Sequence, residues 1–275
     1  FRYAWDTSVS HTFSGMESLW SAGALEKSPT GSGAYYLHLQ ALNADGYSST
    51  PLDYGPFVFD LDAPTGTMVI NDGSGYCNSE NLTLALTYGD GAGSGVSQMQ
   101  FSNDGTDWSG WEAAAPTKAW AIPTGDDAKT VYARFEDAVG NLSEVISAVT
   151  TLDTIDPAFS ELTATPTTAA EGDVVMLTFT ASEALNAPPE VTVNSHAAEE
   201  STEKAGAGYT YRYVVQDPQH DAPGPAVIEV SGVDRAGNLG VLSNADTITI
   251  EKKLNTVPAA GLFGLTLLTA PLSFI

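Results

Sequence analysis

The sequence predicts an all-β protein made of tandem β-sandwich modules, and three observations carry that prediction. A short phrase occurs three times, as Asn43-Ala-Asp-Gly46, Asp137-Ala-Val-Gly140-Asn141 and Asp234-Arg-Ala-Gly237-Asn238, with its glycines 94 and 97 residues apart. An alternating strand precedes each glycine at one phase: Leu37, Leu39, Ala41; Val131, Ala133, Phe135; and Ile228, Val230, Gly232. Helical periodicity is almost absent, and short runs rich in Val, Thr, Tyr and Phe alternate with Gly, Asn, Asp and Pro. One hairpin-like phrase per period of about 95 residues is the mark of repeated sandwiches.

The elements follow in order. Residues 1–61 form the first module. Its repeated glycine comes 46 residues in, against 79 in a second module starting at Asp62, so the first is expected to be truncated. By this comparison about 33 residues, roughly two strands, are expected to be missing from its front. The second module covers 62–154, with strands expected near 67–71, 81–88, 96–102, 118–122, 129–136 and 144–152. Ser102-Asn103-Asp104-Gly105 is a hairpin signal, because Asn, Asp and Gly tolerate positive φ. The third module covers 155–251, with strands expected near 159–165, 173–181, 189–194, 209–215, 225–233 and 245–251. Asp60-Leu61-Asp62-Ala63-Pro64 and Leu152-Asp153-Thr154-Ile155-Asp156-Pro157 close the first two modules; each ends a strand with acids and a proline that blocks further sheet pairing. The tail, 252–275, is uncharged from Val257 onward, and its apolar run Gly261–Ala270 reads as a truncated membrane anchor. A last strand or a disordered tail is the competing reading.

Composition narrows the function. The 275 residues carry 34 Asp+Glu against 10 Lys+Arg, a net charge of -24. That argues against nucleic acid and against docking on anionic lipid, and suits an extracellular or cation-rich setting. Hydrophobic residues still make up 43% of the chain, which argues against disorder. Cys77 is the single cysteine, so no internal disulfide forms; it reads as an incidental thiol in a turn-rich stretch. No Gly-x-Ser-x-Gly elbow, His-Glu-x-x-His or phosphate-cradling loop occurs. His11, His38, His196 and His220 are scattered over the chain. The chain is therefore expected not to be an enzyme. Asn81-Leu-Thr83 and Asn141-Leu-Ser143 match the N-glycosylation pattern and read as accidental.

The runs Tyr35–Gly46, Gly95–Trp111 and Val131–Asn141 resemble bacterial immunoglobulin-like repeats of large surface and adhesin-type proteins. Gly172–Glu183 and Gly232–Asn238 are similar to a second subtype of them, and Val257-Pro258-Ala-Ala-Gly261 with its apolar run resembles C-terminal sorting anchors, without their closing basic cluster. The resemblance implies tandem immunoglobulin-like (fibronectin type III-like) sandwiches in a non-catalytic stalk or adhesion region, extracellular and anchored at the cell surface. Its expected partners are neighbouring modules of the same chain, a polysaccharide or a cell-surface protein, and a membrane through the tail. The competing readings are an accessory carbohydrate-binding region of a secreted hydrolase, and adhesin modules that contact a cell directly.

In such a sandwich the loop after the second strand and the loop before the last lie at the pole where the chain enters. Asp90 and Asp137 stand in those loops of the second module, and the entering linker brings Asp60 and Asp62. Glu183 and Asp234 stand there in the third, with Asp153 and Asp156 on its linker. Carboxylates so placed repel unless neutralised, and calcium accepts six to eight such oxygens, so these eight residues are the candidate metal ligands. The competing reading makes each a solvated turn residue capping its own loop. Trp108, Trp111 and Trp120 could stack on sugar rings if exposed in a row, but a sandwich more often buries them.

Overall fold

The structure, a computed structural model, describes residues 1–201 and 208–253. The apolar tail beyond Lys253, with its anchor reading, lies outside them. The chain divides into two compact units, Phe1–Thr154 and a second beginning at Ile155. Both are all-β, in tandem immunoglobulin-like and fibronectin type III-like sheets. Among the described residues no helix is long and apolar enough to cross a membrane.

The first unit opens with one antiparallel sheet. Strands β1 (Arg2–Asp6), β2 (Ser18–Leu19), β3 (Gly33–Gln40) and β4 (Leu52–Phe59) stand in the order β2-β1-β3-β4. Register places Leu39 opposite Tyr3 and Leu37 opposite Trp5. Trp5 stacks on Tyr35 at 5.3 Å, and Phe57 and Phe59 pack against its edge. Leu37 and Leu39 stay half-buried on this face.

The rest of the unit is a sandwich. Its strands are β5 (Thr65–Ile70), β6 (Tyr76–Cys77), β7 (Asn81–Gly89), β8 (Val96–Ser102), β9 (Glu112–Ala113), β10 (Thr117–Ala121), β11 (Asp127–Asp137) and β12 (Ile146–Leu152). One sheet runs β10-β7-β5 and the other β6-β12-β11-β8-β9. The period-two pattern builds the core. Leu82, Leu84 and Leu86 of β7 meet Met99 and Phe101 of β8 and Val131, Ala133 and Phe135 of β11. These three β11 residues are the alternating set read from the sequence, and all are 0% exposed. Gly66 makes room for Phe135: a Cβ there would lie 2.4 Å from the ring. Cys77 is only 5% exposed and belongs to this core, so the thiol is a packing group rather than part of a turn. The hairpin at Asn103 forms as expected, with Gly105 at φ 77. There the Asp104 carboxylate is held at about 2, first by the N–H groups of Asp107 and Thr106.

The second unit is built of β13 (Phe159–Thr165), β14 (Thr168–Ala170), β15 (Val174–Ala181), β16 (Glu190–Val193), β17 (His196–Ala197), β18 (Glu199–Glu200), β19 (Tyr209–Val214), β20 (Gly224–Val233) and β21 (Leu239–Glu251). Its sheets run β13-β15-β19-β18 and β14-β21-β20-β16-β17. Leu177, Phe179, Tyr211, Tyr213, Ile228 and Ile248 fill the space between them. One buried polar network stands at its edge. The Asp221 carboxylate, 1% exposed, accepts hydrogen bonds from Tyr213, the Gln216 N–H and the Asn194 amide. Burial, and then that bond to Asp221, pushes the Tyr213 hydroxyl up.

Candidate metal centre

The repeated phrase is a turn stitched by one side-chain oxygen. Asp137 Oδ1 accepts the N–H groups of Val139, Gly140 and Asn141 at 2.9, 2.7 and 2.8 Å. The Asn141 amide closes the turn from the other side onto Asp137 Oδ2 at 2.7 Å. Asp234 repeats this with Gly237, Asn238 and the Asn238 amide. Glycine holds the fourth position because φ is 99° at Gly140 and 102° at Gly237.

Around Asp137 the structure gathers two more carboxylates. Asp60 follows β4, Asp90 follows β7, and Asp137 ends β11; each offers an oxygen within 4.8 Å of the other two. Asp60 is fixed by the Ser94 N–H on Oδ2 and the Asp62 N–H on Oδ1, and its carbonyl accepts the Asn141 amide at 3.2 Å. Asp90 Oδ2 accepts the Gly95 N–H at 2.8 Å, while its Oδ1 is buried without a hydrogen-bond partner. Gly93 lets two of the acids close in on its backbone: a Cβ there would stand 2.4 Å from Asp90 Oδ2 and 2.8 Å from Asp60 Oδ2. Its φ is not in the left-handed region, so this glycine serves space rather than backbone conformation.

Two of these carboxyls, Asp60 and Asp137, are held in their charged form. The Ser94 N–H and hydroxyl hold the Asp60 carboxyl below its ordinary value. For Asp137 burial works the other way, yet the hydrogen bonds from Asn141, Val139 and Gly140 prevail and its carboxyl also lies low. The charged Asp60 and Asp137 carboxylates and the buried, unpartnered Asp90 Oδ1 together offer oxygen donors of the kind a hard cation takes. Asp62 contributes its N–H to Asp60 and stands outside this convergence.

In the second unit Glu183, which follows β15, and Asp234, which ends β20, bring carboxylate oxygens within 4.8 Å of each other. Burial opposes the charge on Asp234, but the amide and N–H of Asn238 hold its carboxyl low. Asp156 lies in the segment before β13. Asp153 follows β12 in the first unit, where its N–H is bonded to the Cys77 carbonyl at 3.0 Å.

The aromatic row does not form. Trp120 packs against the core, 5.5 Å from Phe101, with its indole N–H on Asn103. Trp108 and Trp111 cover the Arg134 guanidinium at 4.3 and 5.5 Å, and Gln100 holds that guanidinium from its edge at 2.8 Å. What sequence reasoning missed at the acidic centre is its frame, Gly93, Ser94 and Asn141. The run Gly89–Gly95, four glycines in seven residues, was the available signal.

No protein-family model matches the sequence, and no curated protein matches it. Solved structures do. The fibronectin(III)-like modules of Clostridium thermocellum CbhA align at 17% identity and a TM-score of 0.44, over 68% of this chain and 95% of that one. Three N-terminal domains of the bacteriophage RB49 outer capsid protein Hoc align at 11% identity and 0.45, over 92% and 88%. A Ca2+-stabilized adhesin that helps an Antarctic bacterium bind ice aligns at 16% identity and 0.36, over 80% and 57%.

Proposed function

We propose that this chain is a non-catalytic stalk or adhesion region of a bacterial cell-surface protein, working outside the cell, and that Ca2+ bound by Asp60, Asp90 and Asp137 stiffens it. The observation that carries the reading is the convergence of those three carboxylates. They come from the end of β4, the loop after β7 and the end of β11, segments far apart in sequence that one ion would tie together. Calcium suits the set because carboxylates are its preferred ligands and its coordination tolerates irregular geometry. The net charge of -24 supports a chain that meets cations rather than nucleic acid. Glu183 and Asp234 form the start of a second cation site of the same design. The job is then mechanical: β-sandwiches resist extension through their strand hydrogen bonds, and the ion removes freedom between elements.

The test is thermal unfolding of the full chain in millimolar Ca2+ and in chelator, with Mg2+ as a control. Saturation at a hundred times the dissociation constant stabilises by about 2.7 kcal/mol, which is read as a rise in the melting temperature. Equal melting in calcium and in chelator overturns the ion's role and returns these acids to solvated turns.

A further inference from the structure

The first sheet carries a second cluster of titratable side chains, unrelated to the acidic centre. His38 of β3 is 0% exposed, and carboxylates face both of its ring nitrogens. Nδ1 lies 2.6 Å from Asp53 Oδ1, on β4, and Nε2 lies 3.4 Å from Asp6 Oδ1, on β1. His11, in the loop over residues 7–17, stacks on it with ring centroids 5.4 Å apart. It is flanked in the same way: Nδ1 is 2.9 Å from Asp6 Oδ2, and Nε2 is 3.6 Å from Glu17 Oε1. Tyr36 also stacks on His38, with ring centroids 6.3 Å apart. The Arg2 guanidinium lies beside Gly15 of the same loop.

A neutral imidazole has one N–H and one lone pair. It can donate to one of the two carboxylates that flank it, and its lone pair then faces the other. Only the imidazolium donates on both sides. The Nε2 atoms of both rings are buried without a hydrogen-bond partner, which is the mark of this mismatch. A metal ion fits less well, since Asp6, His11 and His38 are not among the groups whose ligand atoms converge within 4.8 Å.

We propose that Asp6, His11, Glu17, His38 and Asp53 form a proton-operated clasp that fastens loop 7–17 over the His38 face of the first sheet. In the fastened form both histidines are imidazolium, each held between two carboxylates. Fastening takes up protons, so the clasp is closed at mildly acid pH and loosens as pH rises through the histidine range. Each proton taken up changes the closed-to-open ratio about tenfold per pH unit. In a module of a surface chain this makes the conformation of one loop a readout of external pH.

The experiment uses the full chain in chelator, labelled with 15N-histidine. Long-range imidazole spectra at pH 5.5 are expected to report both nitrogens of His11 and His38 as protonated. His220, an exposed ring with a carboxylate on one nitrogen only, serves as the internal comparison. Amide-exchange protection factors over residues 7–17 are expected to fall at least about tenfold between pH 6 and pH 8.5. Asp6→Asn, which removes the carboxylate shared by both rings, is expected to abolish most of that pH dependence. A single neutral tautomer on His38 at pH 5.5, pH-independent protection of the loop, or histidine signals that respond only to added zinc would each overturn the proposal.

Discussion

At Asn43 the side-chain oxygen accepts the N–H groups of Asp45 and Tyr47, and Gly46 takes a φ of 82°. At Asp137 a carboxylate oxygen does the same work for three N–H groups, and Gly140 takes a φ of 99°. The two turns share one backbone design, yet Asn43 is exposed and Asp137 is 2% exposed. A neutral amide therefore suffices to make this turn. The charge on Asp137 is surplus to the fold of its loop, and it sits where two further carboxylates converge. The comparison separates a structural reason for the acid from a ligand reason. The hydrogen bonds from Val139, Gly140 and Asn141 keep that buried carboxylate charged, and the ligand reason is the one the calcium experiments test.

The largest way to break the comparison is to remove the packing behind the buried turn. Phe135→Ala, two residues before Asp137 and fully buried, should cost about 3–5 kcal/mol in urea unfolding of the full chain. Leu39→Ala on the half-buried face of the first sheet should cost about 1–2 kcal/mol, since less area leaves water there. Equal costs would mean that the first sheet is as closely packed as the sandwich.

Next in size is the turn oxygen itself. Asp137→Ala leaves three N–H groups without their acceptor and should cost about 1–3 kcal/mol, against about 1 kcal/mol or less for Asn43→Ala. The Asp137 effect should also depend on pH. Its carboxyl lies below the ordinary value in the folded protein, so its contribution is complete above the ordinary carboxylate range. It is lost as pH falls through the lower folded value, so wild type and Asp137→Ala should converge in strong acid. Asn43 does not titrate, and its variant should show no such convergence.

The smallest effect on stability, and the sharpest on binding, is expected at Gly93. Gly93→Ala puts a methyl group among the oxygens of Asp60 and Asp90 without straining the backbone. Stability in chelator should change by about 0.5 kcal/mol or less, while the melting rise produced by calcium should fall by more than half. A full calcium response in this variant would place the ion elsewhere.

Much of the fold was legible because strand periodicity and turn chemistry are local. The strand expected at 81–88 is Asn81–Gly89, that at 96–102 is Val96–Ser102, and that at 209–215 is Tyr209–Val214. The errors are where pairing decides. The last strand of the second unit begins at Leu239 instead of 245, because its partner β20 continues to Val233 and pairs with it to the turn. The two-residue strand Tyr76–Cys77 and the three-residue strand Thr168–Ala170 have no period to read. They exist because β12 and β21 offer them free parallel edges.

The candidate site divides in the same way. The sequence by itself determined the repeat, the phase of the buried side chains and the acids that loop position could bring to one pole. Alternation, glycine at positive φ and proline at a strand end act over a few residues. Tertiary structure alone decided that Asp60, Asp90 and Asp137 converge while Asp62 does not, and that Trp108 and Trp111 cover an arginine. It alone set His38 between Asp6 and Asp53. Those outcomes depend on distances between segments tens of residues apart, which sheet register and packing set and no local pattern encodes.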